Sequence, residues 1–356
     1  MRESKSANIA YLWHTAAHEP QEMAQKRKYD IGNARGLGRA CLRLAAVTLI
    51  LFVALLQLPR LHEQEYAYLL KLVRKCGPLC SLDQGEFTSS LFFDHRSVPV
   101  SCEDIFSSSA FIQHGHGHAA APRYIPDELL KEFTMNGRIT VTDRYFDQMY
   151  LTKTALTSVW SKTLIEDFIR LARNSQLNGT YSVTETNHLR SALAKVPQLI
   201  GGRVLVIGSE LPWVEACVLE ARAREIVTVE YGAVHSEHPQ VSTKTPKEFR
   251  DDYLSGTLGN FDVVVTFSSV EHSGLGRYGD ALNPWGDVLE IARAHCVTKL
   301  GGALVLAVMN GDDKIEFNAH RVYGDIRWPY LVTNWRQMRR EPSGGQVVYT
   351  FIKYKE

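Results

Sequence analysis

The chain has 356 residues, 45% of them hydrophobic, which is more than one typical domain needs and enough apolar surface for a sizeable core. Forty Lys and Arg against 39 Asp and Glu leave a formal charge of +1. No global field therefore recruits nucleic acid or an anionic surface, and a nucleic-acid partner is not expected.

Residues 1–38 are polar and aperiodic, with "KRK" at 26–28, and read as a flexible cytosolic tail. The run "LAAVTLILFVALLQL", 44–58, carries no charge, and 16 residues separate Arg43 from Arg60. A membrane span usually takes about 20 residues, a length that arginines snorkelling at both ends can make up. The run begins too far from Met1 for a cleaved signal peptide, so 39–59 is expected to be an uncleaved anchor. Six Lys or Arg precede it (Lys26, Arg27, Lys28, Arg35, Arg39, Arg43) and four follow it (Arg60, Lys71, Arg74, Lys75). That bias favours a type II single-pass orientation, with everything past residue 60 in the lumen of the Golgi or endoplasmic reticulum. A buried core helix or an amphipathic surface helix is the competing reading of the same run.

Residues 60–150 read as a stalk, "LHEQEYAYLLKLVRK", followed by an irregular region. Cys76, Cys80 and Cys102 cluster there, and an oxidising lumen would pair two of them; Cys217 and Cys296 sit in apolar helical contexts and read as core. "HGHGH", 114–118, reads as a glycine-spaced mobile loop, and no Cys or His spacing in the chain makes a metal site. Asn178-Gly179-Thr180 is the one N-glycosylation sequon.

From 151 the pattern becomes regular. "TALTSVWSKTLIEDFIRLARN" (154–174) and "TETNHLRSALAKV" (184–196) have helical spacing, the second with Thr184 or Thr186 as its cap. "RVLVIG" (203–208), "EIVTVE" (225–230), "FDVVVTFS" (261–268) and "ALVLAVM" (303–309) read as strands. Helical "PWVEACVLEARAR" lies between the first two, and "WGDVLEIARAHCVTKLGG" is a helix expected to close at Gly301 and Gly302. "QVVYTFIKY" (346–354) alternates and is expected at a sheet edge. Near-continuous apolar strands alternating with amphipathic helices predict an α/β, Rossmann-like, doubly wound parallel sheet.

In such a sheet ligands bind beyond the carboxyl ends of the strands. Gly208 ends the first strand and would permit close approach of a ligand, while Glu230 ends the second and is placed for a ribose diol. The third end opens "TFSSVEHSGLGRYGDALNPWGD", 266–287, which packs four glycines, an acid, a histidine, an arginine and two aspartates into one loop.

These residues carry a resemblance. "RVLVIG…EIVTVE…FDVVVTFSSVEH…LEIARAHCVTKLGGALVLAV" resembles the class I S-adenosylmethionine-dependent methyltransferase superfamily over roughly 200–310. "FDVVV" with "SVEH" is similar to its fourth strand, and "KLGG" to its turn before the fifth. The "EHSGLGRYGD" insertion and "FNAHRVYG" (317–324) look like a divergent domain-of-unknown-function branch. The first motif departs from the family, with Val206 in the place of the usual acid and Gly208, Glu210 and Pro212 in the glycine places.

The resemblance implies S-adenosylmethionine as cofactor, held by Gly208, Glu210, Glu230, Ser268 and Ser269. His272 is then the expected general base, with Glu271 orienting it or binding substrate and Asp280 as the next choice. Arg277, Tyr278, Asn283 and Trp285, joined by His320 and Arg321, would contact a glycan or other small polar acceptor. The competing expectation is a non-catalytic scaffold on the same fold, motivated by the degenerate first motif. A dinucleotide enzyme has no G-x-G-x-x-G to recommend it.

Overall fold

The computed structural model describes residues 102–107, 121–146, 158–280, 282–342 and 345–354, all within one compact unit, Gln64–Glu356. The expected anchor at 44–58, the tail before it, "HGHGH", Cys76 and Cys80 lie outside the described residues. Among the described residues no helix is long and apolar enough to cross a membrane.

In chain order the elements are α1 (Cys102–Ser107), α2 (Asp127–Phe133), β1 (Thr140–Arg144), β2 (Ser158–Trp160), α3 (Lys162–Arg173), α4 (Val183–Leu193), β3 (Arg203–Ile207), α5 (Trp213–Glu220), β4 (Glu225–Val229) and β5 (Val234–Ser236). There follow β6 (Val241–Lys244), α6 (Pro246–Leu254), β7 (Phe261–Phe267), α7 (Gly286–Val297), β8 (Thr298–Val308), β9 (Lys314–Asn318), β10 (His320–Val322), α8 (Trp328–Leu331), β11 (Trp335–Pro342) and β12 (Val347–Lys353).

Seven strands form the main sheet in the order β11-β12-β8-β7-β3-β4-β6. β6, β4, β3, β7 and β8 are mutually parallel, and β12 enters antiparallel between β8 and β11. The parallel core is what the sequence predicts; the reversed strand inserted next to the far edge is not.

Alternation along each strand sorts the core into two layers. Leu205, Ile207, Val227, Val229, Val264, Leu304 and Leu306 face one side, where Phe249 of α6 and Leu289 and Ile291 of α7 cover them. Val204, Val206, Ile226, Val263, Val265 and Val305 face the other, under Ile165 of α3, Leu189 of α4 and Val214 and Val218 of α5. Both faces are dry, which is why these strands are apolar throughout and not alternating.

Several expectations are corrected. The 346–354 run is flanked on both sides by β8 and β11; the edge is β11, whose "WRQMRREP" is too charged to read as a strand, though an edge tolerates such residues. Gly301 and Gly302 do not cap α7, which ends at Val297; they lie within β8, Gly301 at φ +76. The cap of α4 is Ser182, accepting from the Glu185 N–H, and neither Thr184 nor Thr186. Only a short strand, β5, pairing with β2, separates β4 from β6, with no helix between them. Within the span expected to be stalk, β1 pairs in parallel with β9 and so closes a three-stranded sheet with β10. Cys296 is not simply core: it is disulfide-bonded to Cys102, while Cys217 is buried and free.

α7 is docked by a buried ionic cluster. Asp287 accepts from Arg327 at 2.5 and 2.8 Å and from the Tyr323 hydroxyl at 3.0 Å, with Arg321 Nε 3.7 Å away. All four side chains are buried. Two cations beside it hold Asp287 below the usual carboxylate range against its own burial.

Candidate functional site

The carboxyl ends of β3, β4 and β7 converge, and the loops leaving them build the site. After β3, Gly208 turns at φ +73. A Cβ there would lie 1.8 Å from Ser269 Oγ, so the glycine makes room for Ser269 and not for a ligand. Glu210 is exposed on the same turn.

Beneath that turn lies a group that sequence reading missed. Glu215, on α5, is fully buried, with Thr228 Oγ1 2.8 Å from one carboxyl oxygen and Ser209 Oγ 2.9 Å from the other. Ser209 Oγ is also 2.8 Å from the Leu211 carbonyl, which only accepts. The hydroxyl has one proton for two acceptors, the Leu211 carbonyl and Glu215 Oε2, and shares it between them. Burial pushes Glu215 up to about 7, against the hydrogen bonds from Thr228 and Ser209. The signal was a lone carboxylate inside the apolar run "WVEACV".

Glu230 is half-buried and ends β4 as expected. Its oxygens accept from the Ser209 N–H at 2.7 Å and the Tyr231 N–H at 2.8 Å, which ties the second strand to the first turn. Burial raises its pKa, opposed by those bonds. The Gly232 N–H is a third backbone donor to this carboxylate, so of its four acceptor sites one remains for a ribose hydroxyl.

β7 is followed by Ser268, a non-glycine residue at φ +48, which aims its hydroxyl into a buried polar group. Ser268 Oγ donates to Glu271 Oε1 at 2.7 Å and accepts from Gln346 Nε2 at 2.9 Å. Glu271 is fully buried, and its Oε2 and Gln346 Oε1 have no hydrogen-bond partner. Burial pushes Glu271 up to about 7. Tyr181 also reaches Ser268, and enclosure of its hydroxyl pushes it up to about 12. Its ring packs at 5.5 Å from Phe267 and 6.4 Å from Trp213, over the mouth between the first turn and the fourth parallel strand. Tyr181 and Gln346 are distant in sequence from the motifs they join, and nothing local marks them.

His272, the expected base, is brought close to Glu271 in sequence but has a different environment. Its Nδ1 is 2.7 Å from the Ala319 carbonyl, so that nitrogen carries the proton. Burial, then the Arg277 cation, pushes it down to about 3. At neutral pH it is a fixed neutral ring of low basicity, and its place is structural. His320 lies 6.3 Å away and is pushed by burial to about 4. Arg277 also donates to Ala319 O and stacks over Phe146 and Tyr278 at 4.8 and 5.1 Å. His272, Arg277, Tyr278 and His320 therefore form one cluster of contacting side chains.

The remaining expected contacts are part of the scaffold. Asp280 is buried and accepts from the Gly274 N–H at 2.6 Å and the Tyr278 N–H at 3.2 Å, holding the glycine loop closed. Asn283 is buried and accepts from the Trp285 N–H; Trp285 is core, under the Arg327 guanidinium at 5.3 Å. Arg321 does not reach the mouth: it is fully buried and donates to the Ser273 carbonyl at 2.6 Å and the Asn283 carbonyl at 3.2 Å. A guanidinium offering five donors suits the carbonyls of an irregular loop.

Comparison with known proteins adds the following. Residues 201–340 match the domain family described as a Caenorhabditis protein of unknown function, DUF268. No protein of curated function matches the chain. A Listeria monocytogenes protein provisionally described as an S-adenosylmethionine-dependent methyltransferase is 10% identical, with 48% of this chain and 99% of that one covered and a TM-score of 0.34. The N-methyltransferase NodS from Bradyrhizobium japonicum is 11% identical over 48% of this chain and 98% of its own, with a TM-score of 0.32. An O-methyltransferase family 2 protein from Planctomyces limnophilus is 9% identical over 58% and 64%, also at 0.32. The strand order with its reversed β12 gives a mixed α/β fold that resembles class I methyltransferases, and residues 201–340 within it match a domain family of unknown function.

Proposed function

We propose that the chain is an S-adenosylmethionine-dependent methyltransferase, anchored through 44–58 with its domain in the secretory lumen, acting on a glycan or another small polar acceptor. The observation that carries this reading is Glu271: a buried carboxyl at the end of β7, near neutrality in pKa, with one oxygen held by Ser268 and the other unpartnered. Glu230 and the first turn fit the ribose end of the cofactor; the notch at Gly208, filled by Ser269, does not serve it.

The bound cofactor would supply an electrophilic methyl group. Glu271 Oε2 then accepts the proton of the attacking hydroxyl, while Ser268 and Gln346 fix the carboxyl. Arg277, Tyr278 and His320 line the acceptor side. The lumenal part of the reading is supported by the Cys102–Cys296 disulfide, a bond that persists in oxidising compartments, and by the exposure of Asn178.

The test is calorimetric titration of the detergent-solubilised full chain with S-adenosylmethionine and its demethylated product. Saturable binding weakened by Glu230→Ala is expected. No binding by the folded chain would favour the second reading, a non-catalytic scaffold, which the filled Gly208 notch supports.

A further inference from the structure

At the opposite end of the sheet from the candidate site lies a cavity of about 250 Å³, lined by Cys102, Asn260, His295, Cys296, Thr298, Lys299, Leu300 and Lys353. The cavity shares no residue with the candidate site. Both half-cystines are half-buried and contribute to its wall, so the disulfide has one side on the cavity, while Cys296 also packs against the core.

The rest of the lining has the chemistry that thiol exchange needs. Lys353 is buried, and its ammonium is fixed by the carbonyls of His295 and Thr298 at 2.9 Å each, at the carboxyl end of α7. His295 is only 4% exposed, and its Nε2 has no hydrogen-bond partner. Its ring stacks edge-on to Trp335 at 5.2 Å. The held ammonium on the wall that carries the disulfide lowers the cost of a thiolate leaving group, while His295, pushed down to about 4 by burial and then by the Lys353 charge, stays neutral.

The bond also has something to hold. It joins the first residue of α1 to the last turn of α7, 194 residues away. Phe106 of α1 is fully buried, its ring stacked at 3.7 Å on Tyr253 of α6, and Arg250 donates to the carbonyls of Phe106 and Ser107. The space Phe106 lines is walled by Ile207, Val229 and Pro246, directly under the strand ends that carry Gly208 and Glu230.

We propose that this cavity is a thiol–disulfide exchange site, at which a dithiol reduces Cys102–Cys296 in the folded protein and releases α1 from α7. A thiolate of the dithiol attacks one sulfur, the protein S–S bond breaks, and the other cysteine leaves as a thiolate beside Lys353. The second thiol then displaces the mixed disulfide. Two electrons pass from the dithiol, which becomes a disulfide, to the protein, which gains two thiols and two protons.

Cys217, buried and free, reports unfolding in the same experiment. The full chain is treated with dithiothreitol without denaturant, pulsed with N-ethylmaleimide, and read by peptide mass. Cys102 and Cys296 are expected to label together while Cys217 stays unlabelled. Lys353→Met is expected to slow labelling about tenfold and Lys353→Arg to leave it near wild type, since the leaving thiolate loses or keeps its cation. Labelling of Cys102 and Cys296 only together with Cys217 would mean the bond opens by unfolding, and would overturn the proposal. Hydrogen exchange tests the release: protection at 102–107 should fall on reduction while β3 stays protected, and unchanged protection there overturns the release of α1.

Discussion

At the scale of single residues, two buried carboxyls decide the behaviour of the site, and they act differently. Glu271 has an unpartnered oxygen and a pKa pushed up to about 7, so in the proposed reaction it serves as a base only when deprotonated. Methyl transfer to a hydroxyl is therefore expected to rise with pH through about 7 and level off above it. Glu271→Gln should lower the rate by about 10²–10⁴ and abolish that limb, as measured by single-turnover transfer across pH. A full rate in that variant removes Glu271 from the mechanism. Glu215 has no open side and acts on stability. Its folded pKa is raised, so between the unfolded carboxylate range and about 7 the native state binds the extra proton. Stability is then fully present at low pH and falls as pH rises through that window. Glu215→Gln should be more stable than wild type at pH 8 by on the order of 1–3 kcal/mol, and flatter in its pH dependence, by urea unfolding at several pH values. Glu271 adds a second step of the same sign, so the variant reduces the slope without removing it.

Among the elements, α7 is the one whose position fixes most of the site, because the glycine loop before it and the strand after it both depend on where it docks. Its anchor is one carboxylate, Asp287, between Arg327 and Arg321 in a buried setting. Asp287→Asn keeps the shape and removes the charge, leaving two buried guanidiniums uncompensated. The expected cost is about 3–5 kcal/mol in unfolding free energy. Added salt should not restore it, because buried charges are little screened. Little of this anchoring was legible beforehand. Arg321 and Trp285 look like ligand contacts in the sequence because arginine and tryptophan near a glycine loop usually mean recognition. Here an irregular loop exposes backbone carbonyls inside the protein, and a buried arginine satisfies them. The parallel strands were legible because both faces are buried and each is written as a continuous apolar run. The charged β11 and the short, partly polar β6 were not, since each lies at an edge with one neighbour only.

For the molecule as a whole, the parallel core of the sheet follows from pattern alone, while the polar group around Ser268 depends on Tyr181 and Gln346 arriving from opposite ends of the domain. No periodicity encodes such a meeting. Orientation across a membrane is likewise a property of the whole chain, and the sequon tests it. Asn178 and Thr180 are exposed in the loop between α3 and α4, with Gly179 at φ +58 and close against Trp213. A lumenal domain presents this loop to the glycosylation machinery, whereas a cytosolic one never meets it. In cells with a secretory pathway the chain should carry one glycan, removed by amidase digestion and absent from Asn178→Gln. Because Tyr181 follows three residues later over the mouth of the site, the glycan would stand beside the acceptor entrance without blocking the Ser268–Glu271 pair beneath it. A membrane-inserted chain whose mobility is unchanged by either treatment would reverse the assigned orientation and, with it, the lumenal acceptor.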